Sequence, residues 1–226
     1  MTNFVLLPGG GSGPGYWAPL ARELRRRGHG AIPVELPYED PQAGLEEYAD
    51  AVAAAVGDQP DLVVVAHSFG GFTGPLVCDR VPVQTLVFLA GMIPRPGERP
   101  IDWWSNTGHE QALSESNRRH GHDPGDGNPY ALFLHDVPRD LADEALADGR
   151  DQADTSMLAP WPRPALPDVP TRALACAEDR YFPLEFMREV TRDRLGFAPE
   201  VVPGSHSAML SRTAELADAL ERPVRR

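Results

Sequence analysis

Three residues of the chain have the types that acyl-transfer chemistry needs, and each follows a short apolar run. Ser68 lies in Ala66-His67-Ser68-Phe69-Gly70-Gly71, directly after the run 62–66. A serine squeezed between a strand and a helix, with small residues two positions before and two after, has the pattern of a nucleophile elbow. Such a turn lifts the hydroxyl above the sheet. It also aims the N–H of Phe69 at the same space, at a helix N-terminus that favours developing negative charge. A serine that merely caps a helix can show the same neighbours, so the pattern needs support. A serine alkoxide is inaccessible at neutral pH, and the chemistry therefore requires a general base and a group to orient it.

Those partners belong on loops after later strands, in the chain order serine, acid, histidine. After the run 171–175 comes Cys176-Ala177-Glu178-Asp179-Arg180-Tyr181-Phe182-Pro183, and after 200–202 comes Pro203-Gly204-Ser205-His206-Ser207. Both fall where an open α/β sheet places its ligands, beyond the carboxyl ends of its strands. Asp179 is expected to orient the base, with Glu178 as the alternative, and His206 to be the base. The second oxyanion donor is expected in Pro8-Gly9-Gly10-Gly11-Ser12-Gly13-Pro14-Gly15, at Gly10 or a neighbouring glycine. A phosphate-binding reading of that loop finds only a loose echo of G-x-G-x-x-G in Gly10-x-Ser12-x-x-Gly15, and the chain has no Lys for G-x-x-x-x-G-K-[ST]. Of the other histidines, His67 is read as packing or hydrogen bonding behind the nucleophile. His120-Gly121-His122-Asp123 has no dependable metal-ligand spacing, so no metal is expected there.

The elements that must hold these residues alternate in period. Apolar runs at 4–7, 31–34, 62–66, 85–90, 171–175 and 200–202 read as strands, and 62–66 has the β-branched, wholly apolar character of a strand buried on both faces of a parallel sheet. Between them, helical spacing appears in Trp17, Leu20, Ala21 and Leu24, in Leu45 to Val56, in Phe72 and Leu76, and from Leu184 to Arg194. A last helix is expected after Ser211, read as its N-cap, and Pro75 is read as a local kink. Between about 94 and 167 the chain turns rich in Gly, Pro, Asp, Asn and His and shows no buried strand. The alternation on either side implies a doubly wound α/β core, 1–93 and 168–226, interrupted by a helical insertion, 94–167.

Composition sets outer bounds. At roughly 150 residues per domain, 226 residues make one large domain or a core with an insertion. Hydrophobic residues are 42% and charged residues 24%, the balance of a globular protein. The net charge of −12 argues against nucleic acid, and basic runs such as Arg25-Arg26-Arg27 and Arg225-Arg226 are too short to make a patch that would offset it. Two cysteines without C-x-x-C spacing, Cys78 and Cys176, read as free thiols of a reducing cytoplasm. The apolar run at the start is too short for a signal peptide or a spanning helix.

Taken together, the opening 4–7 with its glycine loop, the Ala66–Gly71 elbow, Glu178-Asp179-Arg180-Tyr181-Phe182-Pro183-Leu184-Glu185-Phe186 and Gly204-Ser205-His206-Ser207-Ala208-Met209-Leu210 resemble the α/β-hydrolase superfamily. Within it they are similar to the plant methyl esterase and hydroxynitrile lyase group and its bacterial esterase-like relatives. The resemblance implies a triad of Ser68, Asp179 and His206, oxyanion donors at Phe69 and Gly10, a small helical lid over an apolar pocket, inserted after that fold's sixth-strand position, and no metal or organic cofactor. Two departures stand out. Pro8-Gly9 replaces the usual His-Gly opening, and the Thr and Lys that mark the lyases are Gly9 and Ser207 here, which favours ester cleavage.

The function expected is cleavage of a small carboxylic ester through an acyl-enzyme on Ser68. Trp103, Trp104, Tyr130, Phe133 and Trp161 are the expected pocket walls, each equally readable as packing that holds the lid to the core. The rival readings are a lyase, cyclase or cofactor-free oxygenase using the same residues, and a lidded small-molecule binding protein. The expected partner is a small ester, with neither nucleic acid nor membrane, and a homodimer is left open.

Overall fold

A computed structural model of the chain describes residues 1–223. Six strands form one sheet: β1 (Asn3–Leu7), β2 (Gly30–Pro33), β3 (Leu62–His67), β4 (Val83–Leu89), β5 (Thr171–Cys176) and β6 (Glu200–Val202). They run in the order β2-β1-β3-β4-β5-β6, and every pairing is parallel. The sheet grows one way from β1 to β2 and the other way from β3 onward. Right-handed crossovers therefore place the intervening helices on opposite faces. Helix α1 (Ala18–Arg26) packs with α11 (Thr213–Leu220), and α2 (Leu45–Val56) packs with α3 (Gly70–Val77). With both faces covered, the central strands must be apolar throughout, which explains why β1 is wholly buried. The growth direction reverses between β1 and β3, so their C-terminal ends diverge into a crevice, and the glycine loop and Ser68 flank it.

Helices α4 (Pro100–Thr107), α5 (His109–Arg119), α6 (Pro129–Leu132), α7 (Arg139–Ala147) and α8 (Thr155–Leu158) lie between β4 and β5. Counted along this chain, that segment follows the fourth of six strands. Helices α9 (Leu184–Leu195) and α10 (Ala208–Ser211) complete the set. Ser211 does not cap the last helix. It closes α10 and gives its hydroxyl to Asp136, while Arg212 stands at the N-cap of α11 without a side-chain bond. Among the described residues no helix is long and apolar enough to cross a membrane.

Two tryptophans anchor the helical segment. Trp103 is fully buried and donates its indole N–H to the Ile93 carbonyl, and Trp161 does the same to Phe72 in α3. An ion pair reinforces them. The Arg194 guanidinium of α9 meets both oxygens of Glu98, at 2.7 and 2.9 Å, with both side chains nearly inaccessible. Burial pushes the Glu98 carboxyl up, but the bonds from Arg194, Asn106 and the Arg95 N–H outweigh it and hold the group below its ordinary range.

Glu98→Gln is expected to leave the buried Arg194 guanidinium with Asp193, at 3.3 Å, as its remaining carboxylate and to cost about 1–3 kcal/mol in urea denaturation. Because the folded-state value is depressed, this pair's contribution is complete above the unfolded-state carboxylate pKa. It is lost as pH falls through the lower folded value, so the acid sensitivity of wild type between those limits should shrink in the variant.

Candidate active site

Ser68 sits at the end of β3 with φ of 50°, a left-handed conformation that side chains rarely adopt. The turn is held from several sides. Ser68 donates its N–H to Leu89 at 3.2 Å, and its carbonyl accepts from Gly71 at 3.0 Å and from Met92 at 2.8 Å. Gly71 admits no substitute, because a Cβ there would overlap the Met92 backbone. Ala66, where such elbows usually carry glycine, is accommodated by Gly74. A Cβ on Gly74 would lie 2.7 Å from the Ala66 methyl, so the alanine fits because the helix facing it carries glycine at that point.

The loop after β6 brings His206 over this turn. Its Nδ1–H donates to Asp179 Oδ2 at 2.7 Å, with both side chains buried. The other oxygen of Asp179 accepts the N–H groups of Tyr181 at 2.9 Å and Phe182 at 2.8 Å, which fixes the plane of the carboxylate. Glu178 faces away: its carboxylate takes the Gly204 N–H, and its backbone N–H donates to the Gly204 carbonyl. Of the two acids, then, Asp179 meets the histidine and Glu178 ties down the loop that carries it. His67 lies behind, its ring 4.7 Å from that of His206, and donates Nε2–H to the His206 carbonyl at 3.0 Å. Burial, and then the proximity of His206, pushes His67 well below its ordinary pKa, so it stays neutral beside the other imidazole.

Ser68, Phe69, His206 and Gly10 share a cavity of about 340 Å³. Ser68 Oγ makes no hydrogen bond to His206 in this conformation, as is common before a ligand tightens such a site. The N–H groups of Phe69 and Gly10 donate to no other group among the described residues. Trp104 and Phe133 line the cavity; Trp103, Trp161 and Tyr130 do not. The first two are the buried anchors of the helical segment. Tyr130 gives its hydroxyl to Asp143 and carries Arg139 over its ring. A larger cleft of about 700 Å³ runs between α5 and α9, and neither Ser68 nor His206 lines it.

Residues 4–219 match the family model described as "Alpha/beta hydrolase family". The chain belongs to that family. A stretch of 109 residues is 37% identical to "Probable esterase PIR7A" of Oryza sativa subsp. indica, covering 42% of this chain and 41% of that protein. The chain thus matches well under half the length of that curated relative. The crystal structure of polyneuridine aldehyde esterase superposes with a TM-score of 0.73 over 97% of this chain and 98% of its own, at 18% identity. A pyrethroid hydrolase from Sphingobium faniae JZ-2 gives 0.71 over 97% and 95%, also at 18% identity. At such identities the likeness to these structures is one of fold.

Much of what positions this family member's site is absent from the motifs. Tyr38 is buried and donates its hydroxyl to the Gly9 carbonyl at 2.8 Å, supporting the glycine loop from behind. The helical segment grips the same loop from the other side, Arg150 N–H donating to Gly11 at 2.7 Å and Asp148 accepting the Gly15 N–H at 2.8 Å. Asp136 accepts the Ser205 N–H at 3.2 Å and the Ser211 hydroxyl at 2.8 Å, and so clamps the stretch that carries His206 at both ends. Burial raises the Asp136 carboxyl, and these bonds more than reverse the shift. His109 donates to the Tyr181 carbonyl at 2.9 Å, and His120 Nδ1 donates to Ser116. His122 Nδ1 stands 3.4 Å from Asp126, its nearest acidic partner.

Asp136→Ala is expected to free both ends of the 205–211 stretch at a cost of about 1–3 kcal/mol. The measurement is thermal unfolding together with amide hydrogen exchange, where Ser205 and its neighbours should exchange faster while β1 and β3 remain protected.

Proposed function

We propose that the chain is a serine esterase acting on a small, uncharged carboxylic ester. The 2.7 Å Asp179–His206 bond, opening on the cavity that also holds Ser68, carries this reading. His206 Nε2 takes the Ser68 proton as Oγ attacks the ester carbonyl carbon, and the N–H groups of Phe69 and Gly10 receive the oxyanion. When the tetrahedral species collapses, the imidazolium returns its proton to the departing alcohol. Water then enters, is deprotonated by His206, and releases the acid from Ser68. Asp179 stays ionised throughout and keeps the imidazole in the tautomer with Nδ1–H toward itself.

The size of the substrate follows from the space. A cavity of about 340 Å³ is at the small end of ligand sites, and Trp104, Phe133, Leu146 and Met157 give it apolar walls. All four belong to 94–167, which supports the division into a core and a lid. Among the described residues the lining holds no carboxylate and no guanidinium, so nothing in it compensates a permanent charge. The fold and the esterase named among the chain's relatives point the same way.

A fluorophosphonate is expected to label Ser68, and short p-nitrophenyl esters to be cleaved. Ser68→Ala should abolish the label and lower kcat by about 10⁴-fold or more. Purified protein that takes no label and cleaves none of these esters would rule the esterase out.

A further inference from the structure

Beside the site stands a pair of hydroxyls with more protons than acceptors. Tyr16 Oη and Ser207 Oγ lie 2.7 Å apart, and neither has another hydrogen-bond partner among the described residues. Ser207 directly follows His206 and has no solvent exposure; its N–H goes to Ser205 Oγ, whose own proton goes to the Phe133 carbonyl. Tyr16 is nine-tenths buried and is one of the residues that line the cavity of Ser68 and His206. Two hydroxyl protons share one bond, so one is left over. If Tyr16 donated to Ser207, the spare proton would be on a serine sealed from solvent, facing no acceptor, an arrangement that is costly for a buried group. If Ser207 donates to Tyr16, the spare proton is on the residue that borders the cavity. The second arrangement leaves nothing stranded once a ligand is present.

We infer that Tyr16 is a substrate-binding residue, its hydroxyl polarised by Ser207 and donating to a neutral acceptor oxygen, ether or carbonyl, that the substrate carries beyond its scissile ester. This rests on the esterase reading for the place of the substrate, though not on turnover. Burial raises the Tyr16 phenol above its ordinary pKa, so it remains a donor across neutral pH. The hydroxyl gives the apolar cavity a means of choosing between esters of equal size, because a substrate lacking the oxygen leaves the phenol proton unpaired.

The test uses matched esters that differ by one oxygen. On the acyl side these are p-nitrophenyl methoxyacetate and p-nitrophenyl butyrate; on the alcohol side, 2-methoxyethyl acetate and n-butyl acetate. Comparing each ratio of kcat/KM in wild type and Tyr16→Phe cancels intrinsic reactivity. The variant is expected to lower the preference for the oxygen-bearing member of one pair by about threefold to tenfold, and the affected pair tells which side of the ester faces Tyr16. Ser207→Ala should lower it less, since the phenol proton survives. Ratios unchanged in both pairs, with a loss of thermal stability alone, would show a purely structural hydroxyl pair and overturn the proposal. Calorimetric affinities of the same esters for Ser68→Ala and Ser68→Ala/Tyr16→Phe separate the two readings. A Tyr16-dependent difference in affinity without turnover in wild type would sink the esterase and keep the donor, whereas turnover with indifferent ratios would do the reverse.

Discussion

Everything at this site depends on a single turn being held in a conformation that its residue does not favour. Ser68 at φ of 50° costs of order 1–3 kcal/mol, and the cost is tolerable only because its neighbours leave the chain nowhere else to go. Strand β3 delivers the serine at the carboxyl edge of the sheet, and the carbonyl of Ser68 is fixed by N–H groups from α3 and from the loop after β4. Gly71 lets the Met92 backbone come close enough to supply one of them. The same turn leaves the Phe69 N–H without an acceptor among the described residues, and an unpaired donor of this kind is what an oxyanion requires.

The rest of the site is assembled around that turn by buried polar bonds reaching across long stretches of sequence. The glycine loop is supported by Tyr38 on one side and gripped by Asp148 and Arg150 on the other. The histidine stretch is held by Asp136 and by the Phe133 carbonyl through Ser205. The helical segment therefore does more than cover a pocket. It supplies the partners that fix both flanking loops.

What could be read from the sequence was whatever is encoded locally. Six apolar runs at strand length, the small residues around Ser68, and an acid and a histidine each just past a strand are short-range patterns, and all six strands lie where those runs fall. Choosing between Asp179 and Glu178 is different in kind, since adjacent carboxylates look alike until Tyr181 and Phe182 turn their N–H groups to one of them. Aromatic residues carried the same ambiguity. Trp103 and Trp161 are as apolar as Trp104, and only the packing of the helices decides that two of them anchor the segment while the third borders the cavity. Ser211 was misread because its cap-like position is used for a bond to Asp136, 75 residues away. Tyr16, Tyr38 and Asp136 announce nothing by type or spacing.

The cavity's charge is more informative than the net charge of the chain. The net charge of −12 weighs against phosphate backbones in general and says nothing about small neutral molecules. Within the cavity the titratable side chains are His67, His206, Tyr16 and Tyr181; burial keeps His67 neutral and pushes Tyr181 up to about 12. Fixed N–H dipoles can stabilise an anion that exists only during the reaction, because they are already oriented when it forms. They do not replace the hydration of an ion that arrives with its charge and stays. A site of this composition therefore suits a substrate that becomes negative only at the transition state. Ser207 fits that logic: a small hydroxyl keeps the position after His206 neutral where a lysine would bring a buried permanent charge.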